Sequence, residues 1–157
     1  MKKVPKIIIG GLKMKISWLV VLLATLTALL GGIAAGVGFF MDKPGEPVAF
    51  TTVRGQTVEI NGRGLYRFDT LFAGAGYKGQ DAVALFVGVP LLVIAIMLYQ
   101  RESLVGHMML IGMLVYFLYL YSSMPLGAAY NPFFLVYVAP FGTSLFAFVL
   151  AFNSGVL

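Results

Sequence analysis

The stretch ISWLVVLLATLTALLGGIAAGVGFF, residues 16–40, contains no charged residue and is long enough to cross a bilayer as a helix. A helix needs about 20 predominantly apolar residues to span a hydrocarbon core of about 30 Å. Three further apolar stretches follow it, at residues 82–99, 104–123 and 133–152. Because a backbone in hydrocarbon must satisfy its own polar groups, each stretch is expected to be a helix. We therefore predict an all-α integral membrane protein with a bundle of four transmembrane helices.

The composition of the whole chain agrees with this prediction. Hydrophobic residues make up 60% of the 157 residues and charged residues 11%, and the mean hydropathy is +0.94. A soluble monomer could not cover so much apolar surface, whereas a lipid bilayer can. We expect a single membrane domain, residues 1–157, and no separate soluble enzyme domain. The chain has no cysteine, which excludes disulfides and thiolate metal sites.

Charge gives the predicted topology. Five lysines precede the first apolar stretch, and such a cluster favours the cytoplasmic side: Lys2, Lys3, Lys6, Lys13 and Lys15. A cleaved signal peptide is the alternative, but its apolar region would be about 7–15 residues long. We expect a multi-pass protein of a prokaryotic-type plasma membrane, with both termini cytoplasmic and loop 41–81 outside. The net charge of +5 forms no basic stripe, so we expect the lipid bilayer and not nucleic acid as its partner.

The outer loop contains the signals of a small β-sheet. Asn61-Gly62 is a strong hairpin-turn signal between alternating residues. We predict an extracytoplasmic antiparallel β-meander between helices 1 and 2, with strands at about 48–54, 57–60 and 63–68. Two-residue turns would pair Val53 with Val58 and form an apolar row on one face. Because three such strands are marginal alone, the sheet should pack on the helix ends or on a partner.

Small residues recur every four positions along the first helix, at Ala24, Ala28, Gly32 and Gly36. In lipid, such a stripe lets another helix approach closely and is a leading source of association. The stripe predicts either packing within the chain or an interface with a second membrane protein or a second copy. Pro90 and Pro140 lie inside the predicted second and fourth helices and are expected to kink them.

Charged residues near the outer surface are the weak candidates for chemistry: Arg63, Arg67, Asp69 and Asp81. Two carboxylates can act as acid and base, and two arginines can hold a phosphate or carboxylate. The alternatives are structural, with Asp69 capping a short helical turn and Asp81 capping the second helix at its N-terminus. With Asp81 at the end of a span, no ionisable group lies deep in the membrane, which argues against a proton-coupled transporter.

Aromatic residues cluster toward the predicted outer leaflet, and four tyrosines are candidates for lining a pocket: Tyr66, Tyr116, Tyr119 and Tyr137. Such a pocket would take a quinone-like molecule or a lipid tail. An aromatic belt at the membrane interface is the alternative explanation. The sequence contains no metal-ligand cluster, phosphate-binding loop or dinucleotide fingerprint, so no metal and no cofactor are predicted.

In the order of its parts, the chain resembles claudin-type four-span proteins. A first helix is followed by a long outer loop with predicted strands and a Gly-Leu-aromatic motif at Gly64-Leu65-Tyr66, and then by three helices. The paired loop cysteines and the tryptophans of that family are missing, since Trp18 is the only tryptophan. The resemblance therefore implies an architecture and assigns no functional residue.

From these observations we predict a non-enzymatic assembly or accessory subunit, which acts through its outer loop and the groove of its first helix. The alternative is a membrane enzyme or binding protein for a lipid-like or quinone-like molecule at the outer interface. A third function is an oligomeric channel, although the spans contain few polar residues to line a pore.

Overall fold

The structure is a computed structural model that describes residues 16–41 and 43–154. The five lysines of the predicted cytoplasmic cluster lie outside the described residues. The described part of the chain has four helices that are long and apolar enough to span a membrane: α1 (Trp18–Phe40), α2 (Leu71–Gln100), α3 (Leu104–Gly127) and α4 (Phe134–Ser154). A small antiparallel sheet joins α1 to α2, with strands β1 (Val48–Thr51) and β2 (Thr57–Ile60). The predicted four apolar helices are confirmed.

The helices form a four-membered ring in which α1 contacts α2 and α4, and α3 also contacts both of them. Glycines bring α3 close to two helices at once. A Cβ atom on Gly31 of α1 would lie 3.0 Å from the ring of Phe117, and one on Gly88 of α2 would lie 3.4 Å from the same ring. Phe117 is fully buried between these two notches. The bundle core is therefore fixed by close packing at small residues, a kind of packing that is common between membrane-spanning helices.

The two ends of the bundle differ. The end that carries the sheet and the connection from α3 to α4 is called the hairpin end below. The opposite end, called the Ser17 end, is closed by the turn between α2 and α3. There the backbone N–H of Ser17 donates a hydrogen bond to the Tyr99 hydroxyl (3.1 Å), and the side chain of Ser103 caps α3 by accepting from Gly106 N–H (3.3 Å).

The second helix begins eleven residues earlier than predicted, at Leu71 and not at residue 82. The side chain of Thr70 caps it by accepting a hydrogen bond from Ala73 N–H (3.2 Å). Glycines between residues 74 and 79 do not interrupt it, and Gly74 allows close approach of the Asn61 side chain. The prediction that Asp81 is the N-cap is therefore wrong, because Asp81 lies in the interior of α2. A π-helical turn, Ala84–Gly88, ends two residues before Pro90. Proline has no backbone N–H to donate to the preceding turn of a helix.

The predicted third strand, residues 63–68, is wrong in the described structure. Gly62 and Gly64 have positive φ angles, and the chain forms a compact turn in which Gly62 N–H donates to Arg67 O (3.0 Å). The Asn61 side chain stabilises this turn by donating to the carbonyl oxygens of Arg63 and Tyr66, both at 3.2 Å. An Asn-Gly pair thus builds a folded loop here, and not the tip of a β-hairpin.

The first strand is shorter than predicted and ends at Thr51, because the turn at residues 52–56 takes five residues. Val58 consequently pairs with Phe50 and not with Val53. An apolar row still forms, since directly opposed residues point to the same face. Val48 and Phe50 of β1 pair with Ile60 and Val58 of β2. The row is half covered, with Val58 and Ile60 partly buried and the β1 residues more than half exposed.

Candidate functional site

The most unusual side chain of the bundle is Asp81, which lies inside α2 with 1% of its surface exposed. Its Oδ2 accepts a hydrogen bond of 2.6 Å from the Tyr66 hydroxyl, which comes from the loop before α2. Burial raises the pKa of the Tyr66 phenol far above its ordinary value, and the neighbouring charge of Asp81 raises this pKa further. Tyr66 therefore stays protonated and is the hydrogen-bond donor to the carboxyl group in this structure.

Residues of α1, α3 and α4 complete the surroundings of Asp81. A Cβ atom on Gly38 of α1 would collide with its carboxylate, so only glycine fits at that point. Tyr121 of α3 and Tyr137 of α4 stack with their ring centroids 6.4 Å apart, and both lie within electrostatic reach of Asp81. We call Asp81, Tyr66, Tyr121 and Tyr137 the Asp81 cluster. Tyr121 is anchored across the bundle by donating to Gly31 O (2.6 Å).

A second buried carboxyl group, Asp69, ties the loop before α2 to the connection between α3 and α4. Its Oδ1 accepts a hydrogen bond from Ala129 N–H (2.7 Å), and the residue is 7% exposed. Burial raises the pKa of Asp69, although the hydrogen bond from Ala129 opposes this effect. Because Thr70 caps α2, the predicted capping of a helical turn by Asp69 is replaced by this longer-range contact.

A small cavity lies beside the Asp81 cluster at the hairpin end. Its volume is about 80 Å³, and its walls come from the C-terminal turn of α3, the connection to α4 and the first turn of α4. Tyr137 and Asn131 contribute its buried polar side chains. The Tyr137 hydroxyl has no hydrogen-bond partner among the described residues.

The two arginine candidates do not join the carboxyl groups in a common site. Both side chains are exposed. Arg63 donates from Nε to Gly45 O (2.6 Å), and the guanidinium of Arg67 lies 4.6 Å from the ring centroid of Phe68. Each arginine therefore has a local structural contact of its own.

Three of the four tyrosines predicted to line a pocket lie near Asp81, namely Tyr66, Tyr116 and Tyr137. Tyr119 is 65% exposed on the outside of α3.

The small-residue stripe of α1 is packed inside the bundle over part of its length and open at its end. Ala24 and Ala28 are buried within the chain's own bundle, and Gly32 faces the Val89 side chain, but Gly36 faces open space.

At the Ser17 end, His107 is buried against Tyr99, with the two rings stacked at 5.5 Å between centroids. Neither ring nitrogen has a hydrogen-bond partner within residues 16–41 and 43–154. The same described residues contain no group of three or more side chains that could hold a metal ion.

Sequence reasoning missed Gly38 and Asn131 as parts of the site. Gly31 and Gly38 are seven residues apart and therefore share one helix face, which is a spacing that could have identified a second glycine contact in α1. Asn131 gave no comparable signal, because its position depends on a hydrogen bond between its own side chain and Phe133 N–H (2.9 Å).

Comparison of the chain with models of protein families, with curated proteins and with solved structures found no match.

Proposed function

We propose that this chain is a multi-pass membrane protein that acts as a non-enzymatic assembly or accessory subunit and binds another membrane protein through its hairpin end. Both termini would lie in the cytoplasm, and the hairpin end would face the opposite side. Four helices with the length and hydropathy of membrane spans support the insertion. The five N-terminal lysines support the orientation.

The observation that carries this proposal is the half-covered apolar row of the hairpin. Val48 is 59% exposed and Phe50 is 52% exposed, although both lie on the face that is apolar on both strands. The helices bury their apolar surface against each other or against lipid, but the hairpin follows the end of α1 and would project out of the hydrocarbon. An apolar surface that remains exposed in water is typical of a site that contacts another protein or the membrane surface, and we propose the first of these.

The polar candidates favour assembly over catalysis. Asp69 and Asp81 are buried in contacts that hold the fold together, and Arg63 has its own backbone partner. A pocket for a drug-sized ligand usually measures about 300–1,000 Å³. The cavity of about 80 Å³ is well below this size. The Asp81 cluster therefore suits structural support of the hairpin end better than binding of a quinone or a lipid tail.

The exposed end of the small-residue stripe offers a second contact for the same partner or for a second copy of the chain. Gly36 has open space where its side chain would be. A bulky side chain at this position should leave the isolated protein intact and weaken the association. The variant Gly36→Ile therefore separates an intermolecular role of the stripe from packing within the chain.

Photo-crosslinking in native membranes tests the proposal. A photoreactive residue at Phe50 should give a protein adduct of defined mass, whereas one at Glu59, on the opposite face of the hairpin, should give much less. Adducts with lipid alone, or equal adducts from both faces, would contradict the proposed interface.

The orientation has its own test, because the chain has no cysteine. A cysteine introduced at Arg54 should react with an impermeant thiol reagent added outside intact cells, and one at Glu102 should not.

A further inference from the structure

A buried carboxyl group inside an apolar bundle needs a chemical explanation. Among the described residues, Asp81 is the most buried acidic group. The span of α2 from Asp81 to Gln100 covers about 29 Å at 1.5 Å per residue, so in a bilayer Asp81 would lie at the outer part of the hydrocarbon. Ionisable side chains at such positions are costly and usually have a function.

The groups that face Asp81 come from every element packed against it. The loop before α2 contributes Tyr66, α3 contributes Tyr116 and Tyr121, α4 contributes Tyr137, and α1 contributes the backbone of Gly38. On α2 itself, Tyr77 and Lys78 lie one turn before it, and Tyr77 stacks on Tyr66 at 5.4 Å between ring centroids. Phenols from three different segments thus lie near the carboxyl group.

The cavity beside Tyr137 connects this cluster with the surface. Its walls include Tyr130, whose side chain is 81% exposed, so the cavity adjoins the outside of the protein. A water molecule occupies about 30 Å³ in the liquid, and polar cavities of this size hold ordered water. The buried Tyr137 hydroxyl needs a hydrogen-bond partner. Water in a cavity of about 80 Å³ can supply one.

We propose that Asp81 is a proton-binding site that exchanges its proton with water at the hairpin end, through Tyr66, Tyr137 and the cavity lined by Asn131. This activity is independent of the assembly role proposed above. Nothing in the proposal requires the proton to leave at the Ser17 end.

The transfer balances at every atom. Tyr66 donates to Asp81 Oδ2 at 2.6 Å. Tyr137 is an immediate neighbour of Tyr66, and the transfer requires its hydroxyl group, which has no hydrogen-bond partner among the described residues, to turn toward Tyr66. A hydroxyl group both donates and accepts a hydrogen bond. A hydronium ion in the cavity therefore gives a proton to Tyr137 while Tyr137 passes its own to Tyr66, and Tyr66 passes its own to the carboxylate. Both phenols end unchanged, one proton has arrived on Asp81, and water remains in the cavity.

Infrared difference spectroscopy of the full-length protein in lipid nanodiscs tests the site. Spectra recorded as the pH is lowered should show the carbonyl stretch of a protonated carboxylic acid. Asp81→Asn should remove this band, whereas Asp69→Asn, which changes the other buried carboxyl group, should keep it. Tyr66→Phe should shift the band, because the protonated carboxyl group loses the hydroxyl group to which its Oδ2 is hydrogen-bonded. If Asp81→Asn does not fold, the shift in Tyr66→Phe makes the same assignment. A wild-type protein without a pH-sensitive band, or a band that only Asp69→Asn removes, would overturn the proposal.

Hydrogen–deuterium exchange of the same band tests the route. Tyr137→Phe should slow the isotope shift after transfer to heavy water by about tenfold, the equivalent of one lost hydrogen bond in the relay. Tyr121→Phe is the matched control, because Tyr121 also faces Asp81 but donates to Gly31 and does not line the cavity. Equal exchange rates in the two variants would exclude the proposed route.

Discussion

The two ends of the bundle are held together in different ways. At the hairpin end, buried polar contacts join segments that are distant in sequence, from Asp69 to Ala129 and from Tyr66 to Asp81. The Ser17 end also has a long-range polar contact, from Ser17 N–H to the Tyr99 hydroxyl, but there Gly106 in addition lets α3 lie directly against the backbone of Leu98 and Tyr99. Polar contacts can be changed by titration or by a partner, whereas backbone packing cannot. The comparison indicates that the adjustable part of the molecule is the hairpin end.

The largest effect is expected at the Ser17 end, from Gly106→Ala. The added Cβ would overlap backbone atoms of Leu98 and Tyr99, which have no freedom to move away. We expect the free energy of unfolding to fall by about 3 kcal/mol, at the upper end of the usual cost of overpacking. Thermal unfolding in detergent micelles measures this change.

Gly112→Ala is the matched control, because Gly112 lies in the same helix with nothing within 4 Å of its added Cβ. Alanine is the better helix former, so this variant should be neutral or stabilised by up to about 1 kcal/mol. Equal losses in the two variants would mean that the close approach of α2 and α3 at Gly106 is not what holds this end.

A smaller effect is expected at the hairpin end from Tyr66→Phe. The substitution keeps the ring and leaves Asp81 buried without its 2.6 Å hydrogen bond. A buried group deprived of its partner costs about 2 kcal/mol. Tyr119→Phe, at an exposed position of α3, should have little effect. The double variant Tyr66→Phe with Asp81→Leu should be more stable than the sum of the single losses, and strict additivity would contradict a direct interaction.

The helices could be predicted from sequence better than the hairpin end, and the reason is physical. A span is defined by local hydropathy over about 20 residues, which the sequence displays directly. The start of α2 depends instead on Thr70 as a cap and on space for Asn61 beside Gly74. Neither contact is visible in a hydropathy pattern, so the helix was predicted to begin eleven residues too late.

The start of α2 also determines whether Asp81 is a helix cap or a buried side chain. With the helix starting at residue 82, Asp81 was predicted to be a cap, and the bundle was expected to contain no deep ionisable group. With α2 starting at Leu71, the same residue is buried among tyrosines of three other segments. The two arginines were predicted from proximity in sequence alone, and their side chains make separate local contacts. Local sequence patterns do not show which polar side chains from distant parts of the chain come together in the fold.

The smallest expected effect is a pH dependence at Asp69, which distinguishes an adjustable hairpin end from a rigid one. Because burial raises the pKa of Asp69 in the folded protein, the folded state binds its proton more tightly than the unfolded chain does. The resulting stability is fully present below the ordinary aspartate pKa of about 3.9. It is lost as the pH rises through the higher pKa of the folded state.

The variant Asp69→Asn tests this pH dependence, because its side chain stays neutral and keeps an oxygen that can accept from Ala129 N–H. The difference in unfolding temperature, wild type minus Asp69→Asn, should therefore fall as the pH rises. Asp69→Ala loses the hydrogen bond as well and should be less stable than Asp69→Asn by about 1 kcal/mol at every pH. If this difference in unfolding temperature is independent of pH or rises with pH, the fold does not raise the pKa of Asp69. The hairpin end would then be held in position by packing, like the Ser17 end.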